Sequence, residues 1–461
     1  MDLEPLAAAL GPVDLYALHP AEVRDLAYAA STVTPGALFF AVPGEHADGH
    51  DFAAEAVERG AVALVVERRL DLSVPQVVVR DARAAMAAAA DVFFGQPTRE
   101  LAVVGVTGTS GKTTTSHLLF AILAAAGRRP GLLGTVEARV GGERRGVVRT
   151  TPEAIDLQRV FREMLDAGDR SCAMEASSHA SVLHRLDHVR FAALVFTNLS
   201  QDHLDFHGDM ESYFEAKRRL FLVEPRPIAV VNVGDEYGRR LAEELPEALT
   251  FSAADSGALD GIELRLRGRF NVENALGALF AARALGIDDD AIRQGLESVR
   301  GVPGRFESVE AGQPFHVIVD YAHKPDALEK VLRAARELAG EQHVICVVGA
   351  GGDRDRGKRA VMGRLASELA DLAIVTSDNP RSEDPEAIAT EIVSGATGDV
   401  EVELDRTAAI ARAVELARPG DVVLIAGKGA EQGQEFADRT VPFDDREAAK
   451  EVLKAMLETS S

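Results

Sequence analysis

Short apolar runs alternate along this chain with longer segments rich in Ala, Leu, Glu and Arg. Aliphatic runs of about four to eight residues are typical of buried strands, and the intervening segments have the composition of helices. This alternation predicts an α/β fold. The strand-like runs occupy 37–42, 61–67, 101–106, 192–198, 228–233, 315–320, 343–349, 372–377 and 421–427.

Two Gly- and Pro-containing segments interrupt this rhythm. They are GQPTREL, which begins at 95, and GVPGR at 301–305. Loop-forming residues of this kind favour domain boundaries, and a chain of 461 residues is too long for one ordinary core. We therefore expect three domains, at 1–97, 98–301 and 302–461.

Seven apolar runs, including SCAM at 171–174, are followed directly by polar residues that can bind ligands or take part in catalysis. Open parallel sheets bind ligands beyond the carboxyl ends of their strands, so these junctions are candidate site segments. The polar continuations are TGTSGKT, EASSH, LSQDH, YAHKP, AGGDRDRGKR, DNPR and KGAE.

Composition narrows the classes of ligand. The chain has 73 acidic and 50 basic residues, a net charge of −23, which would repel a nucleic-acid backbone over most of the surface. Cys172 and Cys346 lie in apolar runs, so we expect buried free thiols. The chain shows neither a basic leader nor an apolar run near 18 residues, so we expect a cytoplasmic protein without membrane insertion.

The segment GVTGTSGKTTT at 105–115 has the features of a phosphate-binding loop. It follows an apolar strand and opens a predicted helix at 112–126, the context that such a loop requires. Backbone N–H groups of Gly108 to Lys112 can face phosphate oxygens, Lys112 can neutralise their charge, and the Thr113 hydroxyl can bind Mg²⁺. The residues expected around a nucleoside triphosphate are Gly108, Thr109, Ser110, Gly111, Lys112, Thr113 and Thr114.

Two further residues are candidates for the metal. Glu175 directly follows the run SCAM and is a natural oxygen ligand for Mg²⁺. His203, in TNLSQDHLDFHG, is a less usual ligand, and taken alone it is better explained as a loop or core histidine than as a metal ligand. The same ambiguity applies to His179, His184 and His207.

The order of these motifs resembles the Mur ligase family over essentially the whole chain. The resemblance rests on GVTGTSGKTTT, TTPE, MEASSHA, FTNLSQDHLDFHGDMESYFEAK, GRFNVENALGA, GRFE, DYAHKPDALE, GAGGDRDRGKR, SDNPRSEDP and GKGAE, and on STVTPGALFFAVPGEHADGHDFAAEAVERGA near the N-terminus. It implies an N-terminal α/β uridine-nucleotide-binding domain, a central P-loop ATPase-like domain with a mainly parallel sheet, and a C-terminal Rossmann-like domain.

The resemblance also implies a reaction. In the family, ATP phosphorylates a substrate carboxylate, an amine attacks the acyl phosphate, and phosphate leaves. The matching member adds the third residue of the peptidoglycan stem peptide, meso-diaminopimelate, to UDP-N-acetylmuramoyl-L-alanyl-D-glutamate. We expect a monomer that works on these small molecules.

Residue roles follow from the same resemblance. Thr113 and Glu175 are implied ligands of one Mg²⁺, His203 is implied for a second, and Lys217 matches a carbamylated lysine. Sequence alone would make Lys217 a solvated helix lysine. The implied nucleotide contacts are Asn274, Arg305, Asp320, Tyr321 and His323, and the implied muramoyl-peptide and uridine contacts are Thr150, Thr151, Ser177, Arg185 and Ser31.

The segment SDNPRSEDP bears on the amino acid that is added. Arg381 offers a planar fork for a carboxylate, and meso-diaminopimelate carries a distal carboxylate that lysine lacks. The alternative is a surface pair of Arg381 with Glu383 or Asp384. The remaining residues implied at the acceptor are Arg359, Asp378, Asn379, Gly427 and Glu431. Ala430 replaces the family's usual histidine in GKGAE.

Four alternatives stay open at this point. The same ligase could add L-lysine or another amino acid, which Ala430 allows and Arg381 disfavours. A folylpolyglutamate-type ligase is disfavoured by the N-terminal segment. An inactive Mur-like binding protein is disfavoured by the intact set of Lys112, Thr113, Glu175, His203 and Lys217. The fourth alternative is a P-loop NTPase that moves a partner, but no segment of the sequence resembles a partner-coupling element.

Overall fold

The computed structural model describes residues 1–17, 19–44 and 47–459. Its helices and strands form three α/β units along the chain, so the predicted fold class is confirmed. All nine strand-like runs of the sequence contain a strand. No helix in the described ranges is long and apolar enough to cross a membrane.

The first unit is built on a sheet in the order β1-β5-β4-β3-β2. The pairs among β2, β3, β4 and β5 are parallel, and β1 is antiparallel to β5. Its elements are α1 (Leu3–Ala9), β1 (Asp14–Tyr16), β2 (Asp25–Ala27), β3 (Ala37–Phe40), α2 (Ala53–Glu58), β4 (Ala63–Val66), β5 (Gln76–Val78) and α3 (Ala82–Phe93).

The central unit has a sheet in the order β13-β12-β11-β6-β10-β7-β8-β9, in which β8 and β9 form an antiparallel edge. Its strands are β6 (Ala102–Thr107), β7 (Pro130–Leu133), β8 (Ala138–Val140), β9 (Glu143–Arg145), β10 (Ser171–Glu175), β11 (Phe191–Phe196), β12 (Ile228–Asn232) and β13 (Leu249–Phe251). Its helices are α4 (Lys112–Ala125), α5 (Ala154–Asp166), α6 (Ser178–Val182), α7 (Leu204–His207), α8 (Met210–Arg218), α9 (Glu236–Glu244), α10 (Arg269–Ala284) and α11 (Asp289–Ser298).

Helices cover both faces of this central sheet. Ile122 of α4, Leu279 of α10 and Leu296 of α11 are fully buried in one core, and Phe161 of α5 and Phe214 of α8 are buried in the other. A parallel sheet buried on both faces needs apolar residues at successive strand positions. This is why β6 and β10 are apolar at successive positions rather than alternating, and why the polar Thr107 and Glu175 come at their carboxyl ends.

The last unit has the sheet order β14-β15-β19-β16-β17-β18, parallel except for β14. Its strands are β14 (Glu307–Ser308), β15 (His316–Asp320), β16 (Val344–Val348), β17 (Leu372–Val375), β18 (Val400–Val402), β19 (Val422–Ala426), β20 (Gly433–Glu435) and β21 (Thr440–Pro442), the last two forming a separate hairpin. Its helices are α12 (Pro325–Ala339), α13 (Gly357–Leu369), α14 (Pro385–Val393), α15 (Arg406–Leu416) and α16 (Asp445–Thr459).

Both cysteines are buried and free, as the sequence predicts. Cys172 lies in β10 and Cys346 in β16, each in the middle of a sheet. Burial raises the pKa of the Cys346 thiol to about 12, so it stays protonated and behaves as a small apolar residue.

Candidate functional site

The carboxyl ends of neighbouring parallel strands bring the polar junctions of the central unit together. β6 lies between β10 and β11, with Val106 opposite Glu175 and Thr107 opposite Phe196. The loops that follow these strands therefore share one edge of the sheet. They begin with Gly108, Ala176 and Thr197 respectively.

The loop after β6 wraps closely against its neighbours at two glycines. A Cβ on Gly108 would lie 1.9 Å from Thr197 Oγ1, and one on Gly111 would lie 2.3 Å from Asn274 Oδ1. Both glycines have positive φ angles, +146° and +87°. A side chain at either position would clash, so the loop needs glycine there. The helix α4 begins at Lys112, as predicted, and ends one residue earlier than expected.

Two of the backbone donors expected for phosphate are already used within the protein. The Thr109 N–H donates to Asn198 O at 2.9 Å and the Ser110 N–H donates to Asn198 Oδ1 at 3.0 Å. These two groups therefore hold the loop in shape rather than face a ligand. Asn198 was not singled out from the sequence, although its place directly after a strand in FTNLS is the kind of position that could have drawn attention to it.

Lys112 and Lys217 converge on one carbonyl. Lys112 Nζ donates to Gly108 O at 2.9 Å and to Thr109 O at 2.8 Å, and Lys217 Nζ donates to Gly108 O at 2.9 Å. Burial, and then the charge of Lys324, lower the pKa of Lys112 to about 8. An anionic ligand would relieve this crowding of positive charge at the loop.

Lys217 is not the solvated helix lysine that sequence alone suggests. Its side chain is buried at 1% exposure, and its Nζ lies 4.6 Å from the centroid of the Tyr213 ring. Burial, and then the charge of Lys112, lower the pKa of Lys217 well below its ordinary value. The neutral amine is the form that reacts with carbon dioxide, so this environment fits carbamate formation.

The oxygen donors expected for Mg²⁺ lie at the same edge. Glu175 is buried, and its two carboxylate oxygens accept hydrogen bonds from the Thr135 N–H at 2.7 Å and the Thr135 hydroxyl at 3.0 Å. These bonds orient the carboxylate and leave further lone pairs for a cation. Thr113 Oγ1 accepts a hydrogen bond from Arg305 Nη2 at 3.0 Å. A carboxylate and a hydroxyl are hard donors of the type that Mg²⁺ prefers. Within the described ranges, no group of three or more His, Cys, Asp and Glu side chains is placed to hold a metal ion.

His203 occupies a strained position beside Asp202. Its φ angle is +52°, and its Nε2 lies 2.8 Å from Asp202 Oδ2. Lys324, from the last unit, pairs with the same Asp202 oxygen. Burial raises the pKa of Asp202, but the hydrogen bond from His203 and the charge of Lys324 outweigh it and hold that pKa far below the ordinary value. His203 is partly exposed, and its ring lies 4.7 Å from that of His179.

The residues implied for the nucleotide come from the central unit and the last unit. Asn274 lies in α10 against Gly111, and Arg305 reaches Thr113 while its guanidinium lies 4.5 Å from the centroid of the Tyr321 ring. Asp320 ends β15 and accepts a hydrogen bond from the Phe306 N–H at 2.7 Å. Burial raises the pKa of Asp320 to about 6. The His323 ring packs 4.5 Å from that of Tyr321.

A second polar group lies around β10. The Thr151 hydroxyl donates to Glu175 O at 2.9 Å, the Thr150 and Thr135 hydroxyl oxygens are 3.1 Å apart, and Ser177 Oγ lies 3.2 Å from Thr151 Oγ1. Arg185 Nη2 lies 2.8 Å from Glu153 Oε1. Thr150, Thr151, Ser177 and Arg185 are thus brought together. Ser31 lies apart from them, on an exposed turn at Ala30–Thr32 in the first unit.

Three arginines from two units surround the Glu153 carboxylate. Arg83 of α3 lies 3.6 Å from one of its carboxylate oxygens, and Arg149 and Arg185 lie 3.2 and 2.8 Å from the other. Glu153 is 5% exposed and the Arg185 side chain is mostly buried, whereas half of the Arg149 side chain is exposed, so this net positive cluster opens toward solvent at Arg149. Arg83 and Arg149 were missed from the sequence because they lie outside the recognisable motifs.

In the last unit, Lys428 joins the two segments implied at the acceptor. Its fully buried Nζ donates to Asn379 Oδ1 at 2.7 Å and to Glu431 Oε2 at 3.2 Å, and it lies 3.8 Å from Asp378 Oδ1. Asn379 Nδ2 donates to Glu431 Oε2 at 3.0 Å. Gly427 has a φ of +124°, and a Cβ there would lie 2.4 Å from Asp378 Oδ2.

Arg381 and Arg359 both pair with carboxylates of the protein itself. Arg381 pairs with Glu435, at 2.7 Å from Nε to Oε2, and not with Glu383 or Asp384. Arg359 is fully buried, and its terminal nitrogens donate to Glu383 and Glu391, each at 2.8 Å. Arg359 is implied at the acceptor by the resemblance, and in this structure two internal carboxylates occupy its fork.

Three segments of the chain match known domain families. Residues 22–100 match the Mur ligase family catalytic domain, 106–260 the Mur ligase middle domain, and 304–429 the Mur ligase glutamate ligase domain. A UDP-N-acetylmuramoyl-L-alanyl-D-glutamate–2,6-diaminopimelate ligase from Solibacter usitatus is 46% identical, covering 95% of this chain and 94% of the relative. This chain belongs to the Mur ligase family.

Two further relatives agree. A protein of the same name from Streptomyces coelicolor is 46% identical to this Mur ligase, covering 94% of this chain and 93% of the relative. A solved structure of a UDP-N-acetylmuramoyl-L-alanyl-D-glutamate–2,6-diaminopimelate ligase aligns with a TM-score of 0.66 at 32% identity, covering 95% of this chain and 96% of that one. The predicted family resemblance is therefore confirmed.

A buried ion pair supports the acceptor loops of this Mur ligase from beneath. Arg406 and Asp445 are both fully buried and form two hydrogen bonds, of 2.7 and 2.8 Å. Arg406 also donates to Ser377 O at 3.3 Å and to Ala426 O at 3.1 Å, the residues before Asp378 and Gly427. One guanidinium thus fixes the ends of both segments. The sequence offered no signal for this pair, whose members are 39 residues apart.

Proposed function

We propose that this protein is an ATP-dependent amide ligase that adds meso-diaminopimelate to UDP-N-acetylmuramoyl-L-alanyl-D-glutamate. ATP binds at the loop of Gly108 to Thr114 with Mg²⁺, and Asn274, Arg305, Asp320, Tyr321 and His323 contribute to the nucleotide site. The muramoyl peptide lies along Thr150, Thr151, Ser177 and Arg185, and the uridine part near Ser31. The relatives' names and the chemistry of these side chains support the proposal.

One observation carries the proposal: the phosphate loop and the acceptor segment meet through a few residues. Arg305 contacts Thr113, and a Cβ on the preceding Gly304 would lie only 2.2 Å from the Ala430 N. Ala430 lies in GKGAE, beside Glu431. A carboxylate activated at the phosphate loop would therefore lie near an amine held by this segment, which is the arrangement that amide ligation requires.

The reaction proceeds in two steps. A carboxylate oxygen of the muramoyl peptide attacks the γ-phosphorus of ATP and forms the acyl phosphate. The bond between the γ-phosphorus and the oxygen that bridges it to the β-phosphate breaks, and ADP leaves with the electrons of that bond. The acceptor amine then attacks the acyl carbon, loses a proton, and phosphate leaves with the electrons of the C–O bond. Lys112 offsets the charge of the anions that meet at the loop, and bound Mg²⁺ supplies Lewis-acid charge stabilisation.

The metal and acceptor roles are proposed residue by residue. Thr113 and Glu175 hold one Mg²⁺, His203 holds a second, and a carbamylated Lys217 provides an acidic oxygen that helps to position the ions. Asp378, Asn379 and Arg381 bind the acceptor's distal carboxylate end, and Gly427 and Glu431 bind its distal amine. We also propose domain boundaries after 97 and after 301, a monomeric state and a cytoplasmic location.

Trapping the intermediate tests the proposal. With ATP, Mg²⁺ and UDP-N-acetylmuramoyl-L-alanyl-D-glutamate but no amino acid, hydroxylamine should convert the acyl phosphate into a hydroxamate. Omission of the uridine nucleotide should abolish the hydroxamate. A hydroxamate that forms equally well with a folate in place of the uridine nucleotide would instead favour a folylpolyglutamate-type ligase.

L-Lysine remains a second candidate acceptor because of one contact. Glu435 already pairs with Arg381, so the acceptor end of the site carries a carboxylate as well as a guanidinium. A distal ammonium without a carboxylate could find a partner there. Parallel assays with the two amino acids separate the candidates.

A further inference from the structure

Two of the three guanidinium nitrogens of Arg381 already donate hydrogen bonds within the protein. Its Nε donates to Glu435 Oε2 at 2.7 Å, and its Nη1 donates to Gly352 O at 2.9 Å. A bidentate carboxylate needs two neighbouring N–H groups of the fork. The edge formed by Nε and Nη2 is the one that could serve a ligand, and Glu435 occupies half of it.

We propose that Glu435 is a specificity-determining residue that competes with the acceptor's distal carboxylate for Arg381. This inference rests on the proposed function, in which Arg381 binds that carboxylate. Without Glu435, an acceptor that lacks the carboxylate would leave a guanidinium unpaired in the site, which is the usual basis for rejecting such an analogue. Glu435 supplies the missing partner, so it lowers the penalty for L-lysine while it weakens binding of meso-diaminopimelate.

The backbone around this pair is held independently of the Glu435 side chain. The Glu435 N–H donates to Asn379 Oδ1 at 3.0 Å, and the Arg381 N–H donates to Glu435 O at 3.0 Å. Glu435 also pairs with Thr440 across the β20–β21 hairpin. These bonds use main-chain atoms of Glu435, so they survive a change of its side chain.

The Glu435 side chain, rather than Arg381 or its loop, is the group that has to move when a ligand binds. Arg381 has a φ of +52°, a left-handed conformation that a non-glycine residue keeps only when its surroundings hold it. The Glu435 side chain is 49% exposed, so it can rotate into solvent without leaving a cavity. Exchange of one carboxylate for another on a fixed arginine is therefore the expected movement.

Steady-state phosphate release with each acceptor tests the inference. We expect Glu435→Ala to lower the KM for meso-diaminopimelate by about two- to fivefold, the range of an exposed ion pair, with kcat unchanged. The KM for L-lysine should stay the same or rise, so the selectivity for meso-diaminopimelate increases. Glu435→Gln removes the charge but keeps a hydrogen-bond acceptor, so its KM for meso-diaminopimelate should lie between those of wild type and Glu435→Ala.

Glu401→Ala is the matched control. Glu401 accepts a hydrogen bond from Arg412 Nε at 3.0 Å, and both side chains are about as exposed as Glu435, but neither residue belongs to the acceptor segments. This variant should leave both KM values unchanged. An unchanged or raised KM for meso-diaminopimelate in Glu435→Ala, or an equal change for both acceptors, would overturn the inference.

Failure of the proposed function looks different. Wild-type enzyme that releases no phosphate with meso-diaminopimelate would overturn the proposed acceptor and, with it, the role of Glu435. Wild-type enzyme that turns over with meso-diaminopimelate while Glu435→Ala keeps the same selectivity would retain the function and reject only the competition.

Discussion

Arg305 donates a hydrogen bond to the Thr113 hydroxyl at 3.0 Å, although 192 residues separate them. Thr113 directly follows the lysine of the phosphate loop, and Arg305 belongs to the last unit of the chain. The hydroxyl proposed as a Mg²⁺ ligand is therefore in contact with the unit that carries the acceptor loops. A nucleotide bound at the phosphate loop would therefore meet a side chain of the last unit directly.

Replacing Arg305 should weaken nucleotide binding. We expect Arg305→Ala to raise the KM for ATP about 10- to 100-fold, because a hydrogen bond from a charged group is lost together with the stacking on Tyr321. Steady-state phosphate release measures this. Arg333→Ala is the control, since Arg333 pairs with Glu329 on the exposed side of α12. A KM for ATP equal to that of wild type would show that the contact plays no part in binding.

Lys217 should carry a carbamate that depends on its buried setting. Carbon-13 NMR of enzyme equilibrated with labelled bicarbonate should show a carbamate resonance that Lys217→Arg lacks. Burial and Lys112 lower the pKa of Lys217, so the reactive neutral amine persists to lower pH than in a free lysine, and labelling should increase as pH rises through that lowered pKa.

Activity provides the second readout for Lys217. Lys217→Arg keeps a positive charge but cannot form the carbamate, so activity should fall about 10- to 100-fold, as for other groups that orient a metal site. Lys330→Arg, on the exposed surface of α12, should behave as wild type. Full activity of Lys217→Arg would exclude a catalytic carbamate.

Asp320 should make stability depend on pH between about 4 and 6. Its unfolded pKa is 3.8, and burial raises the folded pKa to about 6. Between these values the unfolded chain has lost the proton that the folded protein keeps, so the free energy of unfolding falls as pH rises and is constant above the folded pKa. The loss should be about 3 kcal/mol.

Comparison with Asp320→Asn isolates this effect. The asparagine can still accept the Phe306 N–H bond but does not titrate. The free energy of unfolding of each protein is measured by urea unfolding from pH 4 to 7. The wild-type value should fall relative to that of Asp320→Asn as pH rises. A difference that is flat with pH would contradict the raised pKa.

The buried pair of Arg406 and Asp445 should be essential to the last unit. Asp445→Asn leaves the Arg406 charge without a partner, which should cost about 3–5 kcal/mol in unfolding free energy. The urea midpoint should fall accordingly. Glu401→Gln breaks the exposed pair with Arg412 and should cost less than about 1 kcal/mol. Equal effects of the two variants would contradict the importance of burial.

The sequence predicts the strands and the phosphate loop because both depend on local pattern. Apolar runs such as 101–106 and 421–427 have to be buried on both faces, and the glycines of 105–115 allow a tight loop before α4. The same pattern identifies which residues follow the strands. It therefore places Glu175, Asp320 and Asp378 at strand ends before any contact is known.

Pairing between distant side chains could not be predicted in this way. Arg359 and Arg381 look alike in sequence, as arginines near a strand end, but Glu383 and Glu391 enclose the first while Glu435 meets the second. The partner of Arg381 lies 54 residues away on a hairpin with no strong apolar pattern. Likewise, only the packing of α8 against the sheet shows that Lys217 is buried rather than solvated.

Phosphate release from ATP and UDP-N-acetylmuramoyl-L-alanyl-D-glutamate, with meso-diaminopimelate or L-lysine added separately, tests the central claim most directly. Turnover that requires the uridine nucleotide and is far more efficient with meso-diaminopimelate is the predicted result. Turnover with L-lysine and not with meso-diaminopimelate would contradict the role given to Arg381, and no turnover with either amino acid would contradict the proposed ligase reaction itself.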